Sequence, residues 1–120
     1  MARYVDGFVL PVPVKKIDAY RKLARKAAKI WKEYGALECI ECIADDVQPG
    51  KLTSFPQSVK LKKDEVVVFS WIIFKSRKQR DSINKKVMAD PRLADMVDPK
   101  NHPFDAKRMF LGGFKTIVEI

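Results

Sequence analysis

Residues 66–74 read Val66-Val67-Val68-Phe69-Ser70-Trp71-Ile72-Ile73-Phe74. A run of β-branched and aromatic residues without glycine or proline predicts a β-strand. Because side chains alternate between the two faces of a strand, Ser70 would share one face with four apolar residues, and Trp71 would lie on the other. Eight of the nine residues are apolar, so neither face is suited to water. We therefore expect a central strand that is covered on both sides.

A strand and a helix are predicted upstream of this stretch. Residues 3–12 alternate in type, with Tyr4, Phe8 and Leu10 on one face, and the prolines that follow end the strand because proline cannot donate to a ladder. From about residue 14 the apolar residues recur every three or four positions, which indicates an amphipathic helix up to Tyr34. Gly35 is a natural C-terminal cap for this helix.

The remaining elements are predicted from breakers and caps. Ser76, with Gln79 three residues on, resembles a capping box that opens a second long helix. Asp90-Pro91 indicates the start of a short third helix. The predicted bounds are strands at 37–44 and 57–61, helices at 76–89 and 91–97, a loop at 98–103, and a last strand from about 107 with a bulge at Gly112-Gly113.

This order is β-α-β-β-α-β with one extra short strand and one extra short helix. It predicts a single α+β domain over residues 1–120, with a ferredoxin-like antiparallel sheet and both long helices on one face. Helices on one face leave the other face of the apolar central strand bare. We expect a second copy of the chain to cover it, as a homodimer in which two sheets form an α+β barrel. The alternative is that the 45–56 loop or the C-terminal segment folds over that face.

The net charge of +9 is concentrated in the two long predicted helices. Residues 15–33 carry eight Lys or Arg against two acids, and residues 75–86 carry six against one. In the predicted fold both helix exteriors share one side, which creates a basic surface that could meet phosphate backbones or anionic lipid, or could simply keep the protein soluble. An RNA-recognition motif is disfavoured, because the strand over residues 67–73 has neither glycine nor a basic residue.

Several classes of protein are disfavoured by what the chain does not contain. The opening residues have no basic segment before an apolar run, and no stretch reaches the roughly 18 apolar residues of a membrane span, so we expect a cytoplasmic protein without a membrane anchor. Cys39 and Cys42 should point to opposite faces of a strand, which disfavours a redox pair. One histidine and two diverging cysteines predict neither a metal site nor a Ser-His-Asp triad, and no phosphate-binding glycine loop is present, so no cofactor is predicted.

The chain resembles the YbaA-like family of uncharacterised bacterial proteins over nearly its whole length. The segments that carry the resemblance are Tyr4-Val5-Asp6-Gly7-Phe8-Val9, Glu41-Cys42, Ala44-Asp45-Asp46-Val47, Val67-Val68-Phe69-Ser70-Trp71, Asp90-Pro91-Arg92, Pro103-Phe104-Asp105, Lys107-Arg108-Met109 and Gly112-Gly113-Phe114. The resemblance implies the dimeric α+β barrel superfamily, which agrees with the burial pattern. It implies no particular activity, because the superfamily includes monooxygenases, isomerases, dehydratases and members without known chemistry, and shares no catalytic motif.

Six residues are candidates for lining a pocket: Asp6, Glu41, Trp71, His102, Asp105 and Arg108. Asp6 lies in the middle of an apolar strand face, where an unpaired carboxylate is costly, so it either faces a polar pocket or forms a structural salt bridge to Lys107 or Arg108. His102 can be a general base or a loop residue, and Trp71 can line a pocket or pack in the core. Asp105 and Arg108 can bind an anion or order their loop.

Two functions remain open, and the residues do not decide whether the protein is an enzyme. The first is a protein that binds or transforms a small organic molecule in a pocket between the sheet and the helices. The second is a non-catalytic dimer whose basic helix face contacts nucleic acid or a protein. Under the first, Asp6→Asn is expected to abolish ligand binding and leave the fold near wild type. Under the second, nucleic-acid binding should weaken steeply with salt.

Overall fold

The structure is a computed structural model that describes residues 2–96 and 102–120, with only the backbone of residues 95 and 96. It contains four strands: β1 (Tyr4–Pro13), β2 (Glu38–Ile43), β3 (Glu65–Phe74) and β4 (Phe110–Lys115). The helices are α1 (Ile17–Tyr34), α2 (Phe55–Ser58), α3 (Arg77–Met88) and α4 (Pro91–Met96), and a short 3-10 turn (Val14–Lys16) precedes α1. No helix among the described residues has the length and apolar character needed to cross a membrane.

The four strands form one antiparallel sheet in the order β2-β3-β1-β4. β1 pairs with β3 from Tyr4 opposite Phe74 to Pro13 opposite Glu65. The two long apolar strands are therefore central, and the shorter β2 and β4 are the edges. This confirms the predicted ferredoxin-like α+β arrangement.

The helix-covered face carries the core. Phe74 and Ile72 of β3 pack with Ile30 of α1 and with Ile83 and Val87 of α3, all buried. A second cluster joins Leu10, Val12 and Val68 of the sheet to Tyr20 of α1. Two packed helices thus cover the face on which β1 and β3 present their even-numbered residues, and the residues divide between the two faces as the alternation predicted.

The opposite face of the sheet, here called the open face, is covered only at one end. Val59, which follows α2, is fully buried against Val9 and Val67. Phe55 packs edge-on against Phe69, with the ring centroids 5.9 Å apart. The segment between β2 and β3 therefore covers one corner of the open face. Such a cover by the chain itself was the alternative to a dimer. The rest of that face has no cover from the described chain.

The predicted helix boundaries are confirmed at their caps. Gly35 has φ +117°, and its backbone N–H donates to the carbonyl of Lys32. The Ser76 hydroxyl accepts a hydrogen bond from the backbone of Gln79 at 3.2 Å, which caps α3. Asp90 likewise accepts from the backbone N–H of Arg92 at 2.9 Å before α4. The predicted end of α4 at Val97 and most of the loop that follows (residues 98–101) lie outside the described residues.

Two predictions about local structure are wrong. The strand predicted at residues 57–61 is instead the end of the short helix α2 and a turn, because the Ser54 side chain caps the backbone of Gln57. β4 begins at residue 110 rather than 107 and has no bulge, since Gly7 opposite Gly112 and Asp6 opposite Gly113 continue a regular register. Glycine at 113 instead avoids a close contact, because a Cβ there would lie 2.5 Å from the Tyr4 hydroxyl.

Candidate functional site

A small cavity lies between α1 and the sheet. Its volume is about 120 Å³, and we call it the sheet–helix cavity. It exists because α1 presents three alanines to the sheet (Ala24, Ala27 and Ala28), whose short side chains leave space above Cys39 and Ile72. Trp31 and Phe104 are among the other lining residues. The cavity is apolar except at the wall where Tyr20, Glu41 and Ser70 meet.

Tyr20 and Glu41 form a short hydrogen bond on this wall. The Tyr20 hydroxyl donates to Oε1 of Glu41 at 2.6 Å. Glu41 lies on the edge strand β2, opposite Ser70 of β3, and its carboxylate is turned in toward α1 although the residue as a whole is exposed. Burial of the carboxylate raises the pKa of Glu41, and hydrogen bonds from Tyr20 and Ser70 offset part of this. Burial and the neighbouring carboxylate also raise the pKa of Tyr20.

His102 is connected to this wall through a stack of aromatic rings. Phe104 lies edge-on to Tyr20 at 5.7 Å between centroids, and the His102 ring lies 4.9 Å from the Phe104 ring. Phe104 lines the sheet–helix cavity, and His102 is not among the lining residues.

A larger groove lies next to the sheet–helix cavity, between α1 and the edge strand β2, and we call it the seam groove. Ala24, Ala28, Cys39 and Glu41 line both, so the two are adjacent. The seam groove has a volume of about 840 Å³ and is open to solvent. The charged residues that α1 contributes to its outer wall are basic (Arg21, Arg25, Lys29 and Lys32), apart from Glu33, which is paired with Arg92 at 2.8 Å.

Cys39 is a poor nucleophile in this setting. Its thiol lies 3.8 Å from the backbone carbonyl of Ala28, and burial raises its pKa to about 11. Cys42 is three residues along β2 and belongs to the opposite face of the sheet, and both cysteines are free. No group of three or more His, Cys, Asp or Glu that could hold a metal ion occurs within residues 2–96 and 102–120.

Asp6 belongs to a different cluster from Glu41. It is 3% exposed, and its carboxylate accepts from Nε of Arg80 at 2.9 Å and from Nδ2 of Asn84 at 3.0 Å. Asn84 in turn accepts from the Trp31 indole at 2.9 Å. Asp6 thus joins β1 to α3 and α1, and it is not among the residues that line the sheet–helix cavity. The predicted salt bridge exists, but its partner is Arg80 rather than Lys107 or Arg108.

Asp105 and Arg108 form an ion-paired cluster with Glu65. Nε of Arg108 lies 2.9 Å from Oδ2 of Asp105, and Nη2 of Arg108 lies 2.6 Å from Oε2 of Glu65. Arg108 also donates to the carbonyl of Lys60 at 3.0 Å. The hydrogen bonds from Arg108 lower the pKa of Glu65. These contacts hold the segment before β4 against the start of β3. They agree with the role of ordering the loop that the sequence suggested for Asp105 and Arg108.

Trp71 lies on the open face, so the sheet separates it from Glu41. It packs edge-on against Phe69 at 5.6 Å between ring centroids. Both line an open groove of about 600 Å³ whose walls are almost wholly apolar and include Ile73, Phe110 and Phe114. The six sequence candidates therefore lie at five places, and only Glu41 lines the sheet–helix cavity.

Tyr20 was not among the sequence candidates, because its position in the apolar stripe of α1 marked it as core. The signal that could have found it is Glu41 itself. The alternation of β2 places Glu41 on the same face as Cys39, and a carboxylate turned toward a helix needs a hydrogen-bond donor there.

The chain matches a protein family and curated bacterial relatives over most of its length. Residues 3–106 match the family described as Protein of unknown function (DUF1428). The chain is 50% identical over 117 residues, 98% of each sequence, to the uncharacterized protein YbaA of Escherichia coli K12 and, to the same extent, to that of Shigella flexneri.

Two solved structures share the fold. One is a dimeric ferredoxin-like protein from an uncultured marine organism, with a TM-score of 0.57, 13% identity and full coverage of both chains. The other is a nipsnap family protein of unknown function from Agrobacterium tumefaciens, with a TM-score of 0.56, 17% identity, and coverage of 95% of this chain and 87% of that one.

Proposed function

This chain belongs to the DUF1428 family of proteins of unknown function, and from its geometry we propose that it is a homodimer that binds a small organic molecule in the sheet–helix cavity. The family membership agrees with the resemblance inferred from the sequence motifs. Neither the family description nor the relatives name a ligand, so the proposal rests on the residues themselves.

The observation that carries the proposal is the Tyr20–Glu41 hydrogen bond on the wall of an otherwise apolar cavity. Turning a carboxylate toward an apolar space costs free energy, which the raised pKa of Glu41 reflects. A carboxylate has about four lone-pair positions, so donors from Tyr20 and Ser70 leave room for a further donor. Apolar walls with a few convergent polar groups are typical of small-molecule sites.

The same pair suits proton transfer at a bound molecule. A carboxyl group whose pKa is raised by burial accepts and releases a proton nearer neutral pH than an exposed one. The Tyr20 hydroxyl, whose own pKa is raised, stays protonated and orients the carboxylate. The proposed ligand therefore carries a hydroxyl or amino group that can donate to Glu41.

The dimer is supported by the open face. Phe69, Phe110 and Phe114 are 41%, 47% and 64% exposed, and they border one continuous apolar groove. A patch of this kind is costly in water, at about 25 cal/mol per Å² of apolar area. A second copy, related by a two-fold axis, presents the same surface in return. The marine relative of the same fold is itself described as dimeric.

The cavity is tested with small neutral probes: phenol, cyclohexanol and 1-butanol. Each is titrated into the isotopically labelled protein while the methyl signals of Ala24, Ala27 and Ala28 are followed by NMR. Saturable shifts in the wild type are expected. Ala27→Leu should abolish them because it fills the cavity, and Ala19→Leu, on the exposed side of α1, is the matched control.

A second variant tests the polar wall without changing its volume. Glu41→Gln should weaken phenol binding about tenfold, since a hydrogen bond to a charged group contributes about 1.5 kcal/mol or more. The proposal fails if no probe shifts the alanine signals, or if Ala27→Leu binds the probes as the wild type does.

A further inference from the structure

The sheet–helix cavity has room for one small group but not for an extended molecule. Its volume is about 120 Å³, whereas pockets that enclose a ligand commonly measure about 300 Å³ or more. A cavity of about 150 Å³ holds one benzene ring, so this one accepts a group of that size or less. A larger molecule whose donor group reaches Glu41 must therefore extend beyond the cavity, and the adjacent space is the seam groove, which Ala24, Ala28 and Glu41 also line.

The outer wall of the seam groove is positively charged. Arg21, Arg25 and Lys29 follow one another at intervals of four residues on α1, which places them along one side of the helix. Arg21 is paired with Asp18 at 3.2 Å, and Lys32 donates to the carbonyl of Leu37 at 2.8 Å. Within the described part of the chain, neither Arg25 nor Lys29 has a carboxylate within ion-pairing distance. Two cations in the middle of the row are thus available to a ligand.

The inner wall of the groove has the opposite character. It is formed by β2, which contributes Glu38 and Glu41. An acidic peptide or a nucleic-acid strand lying along β2 would meet these carboxylates at close range, which is unfavourable. A short molecule can avoid them by placing its negative charge against α1 and a hydrogen-bond donor against Glu41. The charge distribution therefore favours a small molecule with a negative charge at one end and a hydrogen-bond donor at the other, and it disfavours a polyanion.

We propose that Arg25 and Lys29 form the anion-binding end of the ligand site, and that the ligand is a small organic anion with a hydroxyl or amino group at its other end. The anionic group lies at the outer wall of the seam groove, the apolar stem lies along Ala24 and Ala28, and the donor group reaches Glu41 in the sheet–helix cavity. This assignment rests on the proposed function, since it extends the same site. The net charge of +9 adds a general attraction for anions.

The test compares two probes that differ mainly in charge. 4-Hydroxyphenylacetate carries a phenol and a carboxylate, and 4-(2-hydroxyethyl)phenol replaces the carboxylate by a neutral hydroxymethyl group. Both are titrated against the full-length wild type by NMR and calorimetry at fixed low ionic strength. The anion should bind about tenfold more tightly, with shifts at both Ala24 and Ala28.

Paired variants separate a local site from the general field of the protein. Arg25→Gln with Lys29→Gln should remove the preference for the anion and leave binding of the neutral probe unchanged. Lys85→Gln with Lys86→Gln, on the exposed side of α3, lowers the net charge by the same amount and should keep the preference.

The outcomes distinguish this inference from the proposed function. If the neutral probe binds but the anion has no advantage, the anion site is wrong and the sheet–helix cavity remains the binding site. If neither probe binds, both fall. Equal loss of preference in the two double variants, or tighter binding of a poly-glutamate peptide than of the small acid, also overturns the inference.

Discussion

Two carboxylates on inward-facing strand positions, Asp6 and Glu41, have different surroundings. Asp6 is held by a guanidinium and an amide, so its charge is compensated within the core. Glu41 faces only hydroxyl groups, from Tyr20 and Ser70, and no cation is bonded to it among the described residues. Compensated charge indicates a structural role, and uncompensated charge next to a cavity indicates a functional one.

The pKa of Glu41 predicts a pH-dependent effect of its removal. A carboxyl group whose pKa is raised by folding favours the folded state below its ordinary pKa, and this advantage is lost as pH rises through the raised value. Glu41→Gln does not titrate, so its stability relative to the wild type should be greater at pH 7 than at pH 4. Urea unfolding at both pH values measures the difference. A variant that gains nothing between pH 4 and pH 7 would show that the carboxylate is not strained.

Asp6→Asn should destabilise the protein, because it leaves Arg80 without its principal partner. Removing one member of a buried ion pair costs about 3 kcal/mol or more, and the remaining contact of Arg80 with Asp81 at 2.9 Å places this case at the lower end. From the sequence, an unaffected fold was expected only if Asp6 lines a pocket, and loss of stability was expected if Asp6 forms a structural salt bridge; the contact with Arg80 favours the second outcome. Chemical denaturation measures the loss, and Asp18→Asn, at an exposed carboxylate of α1 that is paired with Arg21, is the control. A change below about 0.5 kcal/mol would contradict the structural role.

At the scale of elements, α1 performs two tasks with two faces. Its inward face supplies Tyr20 and the three alanines of the cavity, and its outward face supplies the basic row of the seam groove. The amphipathic pattern in the sequence indicates which face of α1 is apolar and which is basic. It does not distinguish alanines that pack tightly from alanines that leave space. The edge strand β2 completes the site only because register places Glu41 opposite Ser70.

The two glycines of β4 should respond differently to alanine. A Cβ on Gly113 would lie 2.5 Å from the Tyr4 hydroxyl and 2.7 Å from an Arg80 nitrogen that is bound to Asp6. A Cβ on Gly112 would have its nearest contact at 3.7 Å. We expect Gly113→Ala to lower the free energy of unfolding by about 1–3 kcal/mol. Gly112→Ala is the matched control and should change it by less than about 1 kcal/mol. Thermal or urea unfolding of both variants decides the matter, and equal effects would contradict the crowding at Gly113.

At the scale of the whole molecule, most of the apolar open face is not covered by the described residues of the chain itself. The segment between β2 and β3 covers only the corner at Val9 and Val67 and packs Phe55 against one edge of Phe69. The aromatic residues beyond that corner are the proposed dimer surface. The basic exterior of α1 and α3 is a separate surface, and contact with nucleic acid there remains a prediction from the charge pattern, to be judged by the salt dependence of binding.

Phe114→Glu should convert the proposed dimer to a monomer. It places a charge in the apolar groove of the open face, and two-fold symmetry would bring that charge into the interface twice. Met88→Glu is a matched control, because Met88 of α3 is also 64% exposed but lies away from the open face. Sedimentation velocity at micromolar concentration reports the mass of each. A monomeric wild type, or loss of the dimer in Met88→Glu as well, would contradict the proposed surface.

The element order could be predicted from the sequence because it depends on local signals. The period of α1, the caps at Gly35 and Ser76, and the apolar run of β3 each act within a few residues. The failures also have local causes. The segment at 57–61 is too short for its pattern of apolar residues to distinguish one turn of helix from a short strand. The two adjacent glycines of β4 resemble a bulge in the sequence, although Gly113 in fact leaves space for the side chain of Tyr4.

By itself, the sequence determined the order of the elements, the two apolar faces of β3 and the concentration of charge on α1 and α3, since periodicity and composition encode these directly. The tertiary structure alone decided that Asp6 is bound by Arg80, that Glu41 is bound by Tyr20, and that Trp71 lies on the opposite side of the sheet from the cavity. The partners of Asp6 and Glu41 are 74 and 21 residues away along the chain. Contacts at such separations follow from how helices pack on a sheet, which no local pattern specifies.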